Sequence, residues 1–127
     1  MKNNRGQALI LFVLFIPLLC FISAFVIDSG LMIKNKIKLD DTTKIIIKEV
    51  FDNKENSEDI ARNLYKENNF STEKFKYKID GNILYIENEI TVESIFGGVI
   101  GLQDYNIKSK YKAYLDGDVL IIEKNKE

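Results

Sequence analysis

The chain has 127 residues, with 18 basic and 19 acidic side chains, one cysteine, and neither histidine nor tryptophan. That length holds one small domain plus an accessory segment, and a net charge of −1 gives no electrostatic ground for a nucleic-acid partner. Without histidine the usual general base and zinc ligand are missing, and a lone cysteine excludes an internal disulfide or a CxxC site.

A mean hydropathy of −0.11 conceals a very uneven chain. Residues 1–7, with Lys2 and Arg5, read as a short basic leader. Residues 8–27 then carry no charge, and only Pro17 and Ser23 among them are not apolar. As a helix these 20 residues span about 30 Å, the thickness of a bilayer's hydrocarbon core. Fifteen of them are Leu, Ile, Phe or Val, so insertion gains about 5–9 kcal/mol. The segment is apolar on every side, unlike a surface-lying amphipathic helix. The expectation is one transmembrane helix. A signal peptide has a shorter apolar region, and Ile22-Ser23-Ala24 is a poor cleavage site, so retention is favoured over removal. Leu19 is too bulky to precede a lipoprotein cysteine, leaving Cys20 as an apolar filler.

Residues 28–51 contain no proline and only one glycine, Gly30. Ile33 with Ile37 and Ile47 with Phe51 pair at i,i+4, while Leu39, Thr43, Ile46 and Val50 make a stripe. This predicts that the helix leaves the membrane as an amphipathic stalk ending near Phe51. Residues 52–127 read as a small α+β domain. After a turn, Ser57 is placed to cap a second helix with Glu58 and Asp59 in its first turn and Ile60 and Leu64 on one face. The remainder alternates with period two. Phe75, Tyr77 and Ile79 oppose Lys74, Lys76 and Lys78; Asp80-Gly81 turns; Leu84, Ile86, Ile90 and Val92 return. Tyr105, Ile107, Tyr111, Ala113 and Leu115 make a third strand, and Asp116-Gly117 turns into a fourth over residues 119–123. The fold class is α+β, an N-terminal helix followed by an antiparallel sheet of about four strands with one or two helices covering one face.

Between the second and third strands, residues 93–102 are apolar and glycine-rich. Ile95, Phe96, Val99, Ile100 and Leu102 are either a partner or membrane contact or a short element folded onto the sheet. The glycines there are not followed by the lysine of a phosphate loop. Glu87, Glu89 and Glu93 alternate along one strand as a solvated face, with no metal site expected. No catalytic residues, cofactor or small-molecule substrate are indicated, and the chain reads as a non-enzyme.

Arg5-Gly6-Gln7-Ala8, the apolar run with Pro17 inside, and Asp28-Ser29-Gly30 together resemble the TadE/TadG-like family of tight-adherence (Flp-type) pilus assembly, whose members resemble minor pilins. The resemblance covers roughly residues 5–40. It implies a leader motif at Arg5, Gly6 and Gln7, a mid-helix proline at Pro17 and an exit motif at Asp28 and Gly30. Leu11 stands where processed members carry glutamate, which sets the chain nearer the TadG-like branch and leaves cleavage after Gly6 open. The lysines after the span lean mildly against exporting the domain, whereas the resemblance implies a bacterial membrane protein with its N-terminus inside and its domain outside. The implied function is a single-span component of a pilus assembly or secretion machine, its partners the bilayer and other membrane proteins of that machine. The alternative is a membrane-tethered binding module unrelated to pili, with residues 95–102 gripping its ligand.

Overall fold

Helix α1 (Asn4–Asp52) runs for 49 residues uninterrupted by Pro17, about 70 Å of continuous helix. In this computed structural model the described residues are 4–53, 55–96 and 104–125. The helix has two unlike halves. From Leu9 to Ile27 every large apolar side chain is 47–67% exposed. From Asp28 onward one face is buried, and it includes Leu39, Thr43, Ile46 and Val50, the stripe that the helical spacing predicts. Ile33 and Ile37 are 57% and 55% exposed, because at 100° per residue they lie on the opposite side from Leu39.

The segment read as a stalk is thus the central helix of the domain, lying chiefly over the third strand of the sheet. Helix α2 (Ser57–Glu67) packs beside it and carries Glu58 and Asp59 in its first turn. The residue before it is Asn56, in a left-handed conformation and making no side-chain cap. Ser57 instead opens the helix, and its hydroxyl shares a hydrogen bond with the Tyr77 hydroxyl on the sheet. Burial falls on Ala61 and Tyr65, with Ile60 and Leu64 flanking them half-buried. The helix stops where the Asn68 side chain donates to the Leu64 carbonyl at 2.8 Å and Asn69 turns left-handed.

Four strands follow: β1 (Lys76–Asp80), β2 (Ile83–Val92), β3 (Tyr105–Asp116) and β4 (Val119–Lys124). They form one antiparallel sheet in the order β1-β2-β3-β4. Both hairpins have two-residue loops opening on a glycine, Gly81 at φ 62° and Gly117 at φ 65°, which the tight turn requires. The register places Tyr77, Ile86 and Tyr111 side by side, then Ile79, Leu84, Ala113 and Ile122, on the face under the helices. Leu115 lies a row further on and is 46% exposed, because α1 ends at Asp52 and the sheet outruns it, while Ile79, level with the buried Leu84 and Ala113, is 59% exposed on the edge strand β1.

Two polar residues interrupt the apolar face. Asn88 and Ser109 are directly opposite each other in the register and fully buried. The Asn88 amide donates to the Ser71 carbonyl at 3.0 Å. Ser109 Oγ donates at 3.0 Å to Thr43 Oγ1, which itself donates at 2.9 Å to the Leu39 carbonyl. With its single proton so used, Thr43 accepts at 2.6 Å from the Tyr65 hydroxyl. Burial pushes the Tyr65 phenol up to about 12, so it stays protonated and able to donate. One threonine thereby ties α1, α2 and β3 together.

The opposite face of the sheet is charged. Glu87 stands across from Lys110 and Glu89 across from Lys108, with a diagonal ion pair of 2.6 Å from Lys108 to Glu87. Burial opposes the charged form of Glu87, but the hydrogen bond and charge of Lys108 outweigh it and hold the carboxyl below its ordinary 4.5. The same bond raises Lys108 above 10.5. A carboxyl lowered on folding stabilises above its unfolded value, and that contribution goes as the pH falls through the folded value. A raised lysine loses its contribution as the pH rises through its folded value. Glu87→Gln is therefore expected to lower the domain's melting temperature slightly near neutrality. The difference from the parent closes at a pH well below 4.5 and again well above 10.5, which melting curves across pH will show.

Candidate functional site

The strongest polar construction among the described residues lies where the bare half of α1 meets the domain. Asp28 is the first charged residue after Arg5, and it is 5% exposed. It is buried because the chain leaving β2 folds over it. Oδ1 accepts from the Ile95 amide at 2.9 Å and Oδ2 from the Ser94 hydroxyl at 2.8 Å. The Phe96 amide completes the set, 3.2 Å from Oδ2. Two consecutive backbone amides and a hydroxyl converging on one carboxylate make a compact clamp of charge-assisted hydrogen bonds. It fixes the start of the β2–β3 connection to the helix.

The clamp shapes a groove of about 590 Å³ between the helix and the end of the sheet. Pro17, Cys20, Ala24 and Ile27 floor it from the helix, while Phe96 and Tyr105 close it from the domain. Ile95 points outward, 60% exposed. A second groove of about 450 Å³ lies at the far end, where Val50 and Phe51 face Tyr77, Ile79 and Leu115.

The residues singled out by sequence fall into distinct places. Arg5, Gly6 and Gln7 are exposed in the first turns of α1, and Pro17 is embedded in the helix. Ile95 and Phe96 are brought to Asp28, while Val99, Ile100 and Leu102 lie outside the described residues. The resemblance gave Asp28 only as part of an exit motif; the structure shows it holding its own chain. Its partner Ser94 and the neighbouring Tyr105 were missed. The available signal was a carboxylate at the end of an uncharged span, which needs donors, and a hydroxyl at the end of β2 able to supply one.

No protein-family model matches the chain, and no curated protein or solved structure matches it. The chemistry must be read from the geometry alone. Among the described residues there is no cluster of three or more potential metal ligands, and the glutamates of β2 are engaged with lysines. What the arrangement can do is hold a domain at a set position on an apolar rod.

Gly30 is informative here. A Cβ at that position meets no atom of the described residues within 4 Å, so none of them demands glycine there. Glycine in a helix interior costs about 1 kcal/mol relative to alanine. Gly30→Ala is therefore expected to raise the unfolding free energy of the isolated protein by up to about 1 kcal/mol, seen as a higher denaturation midpoint. A fall in stability would mean that the residue packs against something within the fold.

Proposed function

We propose that the chain is a single-span membrane component of a bacterial pilus assembly or secretion machine, of the TadE/TadG-like, minor pilin-like type. Its N-terminus is in the cytoplasm and its α+β domain outside. It acts by lateral packing of its apolar helix and by contacts of the exported domain. The observation that carries this is the continuity of α1, whose first half has no buried residue among the described ones before Asp28 and whose second half is the core helix of the domain. A helix built that way transmits the position of the domain to whatever its apolar half packs against, lipid or neighbouring helices. The leader residues Arg5 and Gly6, with Pro17, Asp28 and Gly30, support the family assignment by resemblance.

Protease treatment of intact cells carrying a C-terminal tag tests the reading. The tag and the domain are expected to be digested while residues before Asp28 remain as a protected fragment. A domain protected until the cells are lysed sinks it. The exposed Ile79 and Leu115 at the far groove favour a second reading, a membrane-tethered binding module unrelated to pili. Deleting the gene separates the two, since cells that keep intact pili decide for the second.

A further inference from the structure

Residues 8–27 as a helix span about 30 Å, so a bilayer that covers them has its surface at Asp28. Asp28 holds the Ile95 and Phe96 amides within 2.9 and 3.2 Å, which brings the end of the sheet to that same level. The sheet is oriented accordingly. α1 advances about 33 Å from Asp28 to Val50, and β3 advances about 33 Å from Tyr105 to Leu115. Tyr105 shares a groove with Asp28, and Leu115 shares one with Val50. Helix and strand therefore run side by side. The β2–β3 end is the end of the sheet nearest the apolar half, and the hairpin at Gly117 and Asp118 is the far end.

At the near end the side chains are of the kind that lipid boundaries attract. Ile95 is 60% exposed, and Phe96 and Tyr105 line one groove with Ala24, Phe25 and Ile27 of the apolar span. Aromatic residues favour the headgroup level of a bilayer, where a ring can be apolar on its body and wet at its tip. The charges that flank them, Glu93 and Asp104, are exposed.

We propose that Ile95, Phe96 and Tyr105 form an interfacial foot that rests the domain on the lipid surface from which α1 emerges, with Asp28 as its positioning residue. The occupant is the boundary between headgroups and acyl chains of that same bilayer. The proposal rests on the membrane-spanning reading of α1 and adds a second contact, one that holds the domain at a fixed depth and restricts its rocking about the helix end.

Fluorescence quenching tests it on the full chain in a Cys20→Ser background. Single cysteines at Ser23→Cys, Ile95→Cys or Asp118→Cys carry a polarity-sensitive dye. Vesicles of phosphatidylcholine and phosphatidylglycerol contain a lipid with a doxyl quencher shallow on its acyl chain. The Ile95 site is exposed, so the dye does not disturb the core. A side chain seated about 5–10 Å into the boundary is expected to be quenched about threefold more at position 95 than at 118. Position 23 is quenched as well. Asp28→Ala lowers quenching at 95 to the level of 118 and leaves 23 unchanged.

If 23 is quenched and 95 matches 118, the span stands and the foot is overturned. If 23 is not quenched, the span fails and the foot with it. A blue-shifted dye at 95 that lipid does not quench places protein there, which also overturns the proposal. Unchanged quenching at 95 in Asp28→Ala overturns the role of Asp28.

Discussion

Arginine at both Leu14 and Leu18 is expected to move the protein out of the membrane fraction. Both positions lie near the middle of residues 8–27, and their side chains are 67% and 52% exposed. Replacing leucine by arginine at the centre of a span reverses a small gain into a cost, a swing of about 3–4 kcal/mol for each position. Two such changes total about 6–8 kcal/mol, against a whole-segment gain of about 5–9 kcal/mol. The balance is then near zero, and the protein is expected in the alkaline-carbonate supernatant. Alanine at the same two positions leaves it in the pellet. Because the substituted half contributes no buried residue before Asp28, the far-UV circular dichroism of the domain in detergent should not change. A double-arginine variant that stays in the pellet would mean that something other than this helix holds the chain there.

The apolar segment was legible because hydrophobicity without periodicity over 20 residues has few physical outcomes, and no residue of that length is buried among the described residues. The sheet was legible for a similar reason. Alternation is forced wherever one face of a strand is buried, and the two glycine turns fix the register of their hairpins. What escaped was each place where a polar residue does the work of an apolar one. Asn88 and Ser109 lie in the core, where composition alone makes them look like interruptions, and Thr43 was placed on the buried stripe without the partners it meets there. Their burial depends on partners brought from far along the chain: 66 residues separate Thr43 from Ser109, and 17 separate Asn88 from Ser71. The clamp on Asp28 is the same case, closed across 66 residues by Ser94. A pattern read within a window of a dozen residues has no access to such pairs. The shift of burial on α2 from Ile60 and Leu64 to Ala61 and Tyr65 has a related cause, since the face is set by the neighbours the helix meets rather than by its most apolar pair.

Tyr65 gives the largest single-site effect on the domain. It is the largest side chain with no exposure, and it sits where both helices and the sheet converge. Its ring meets Phe75 edge-on at 5.6 Å and Phe70 at 6.4 Å, while its hydroxyl donates to Thr43. Tyr65→Ala removes both the ring and the hydroxyl. Truncating a buried aromatic costs about 3–5 kcal/mol, and the lost hydroxyl adds about 1 kcal/mol. A small domain has about 5–15 kcal/mol in total, so the alanine variant is expected at the edge of folding. Tyr65→Phe keeps the ring and isolates the polar part. It removes one of the two donors that Thr43 accepts, but Ser109 still occupies the hydroxyl, and the expected loss is about 1 kcal/mol. Thr43→Val is more severe, because it leaves the buried Tyr65 and Ser109 hydroxyls without their acceptor, at about 1–3 kcal/mol each. Once Thr43 is valine, a further Tyr65→Phe should cost nothing and can recover stability, since the orphaned hydroxyl goes with it. Denaturant titration of the four proteins in detergent, followed by tyrosine fluorescence and far-UV circular dichroism, closes that cycle. Additive losses would show that the hydroxyls act separately, and Thr43 would then not be the knot joining the two helices to the sheet.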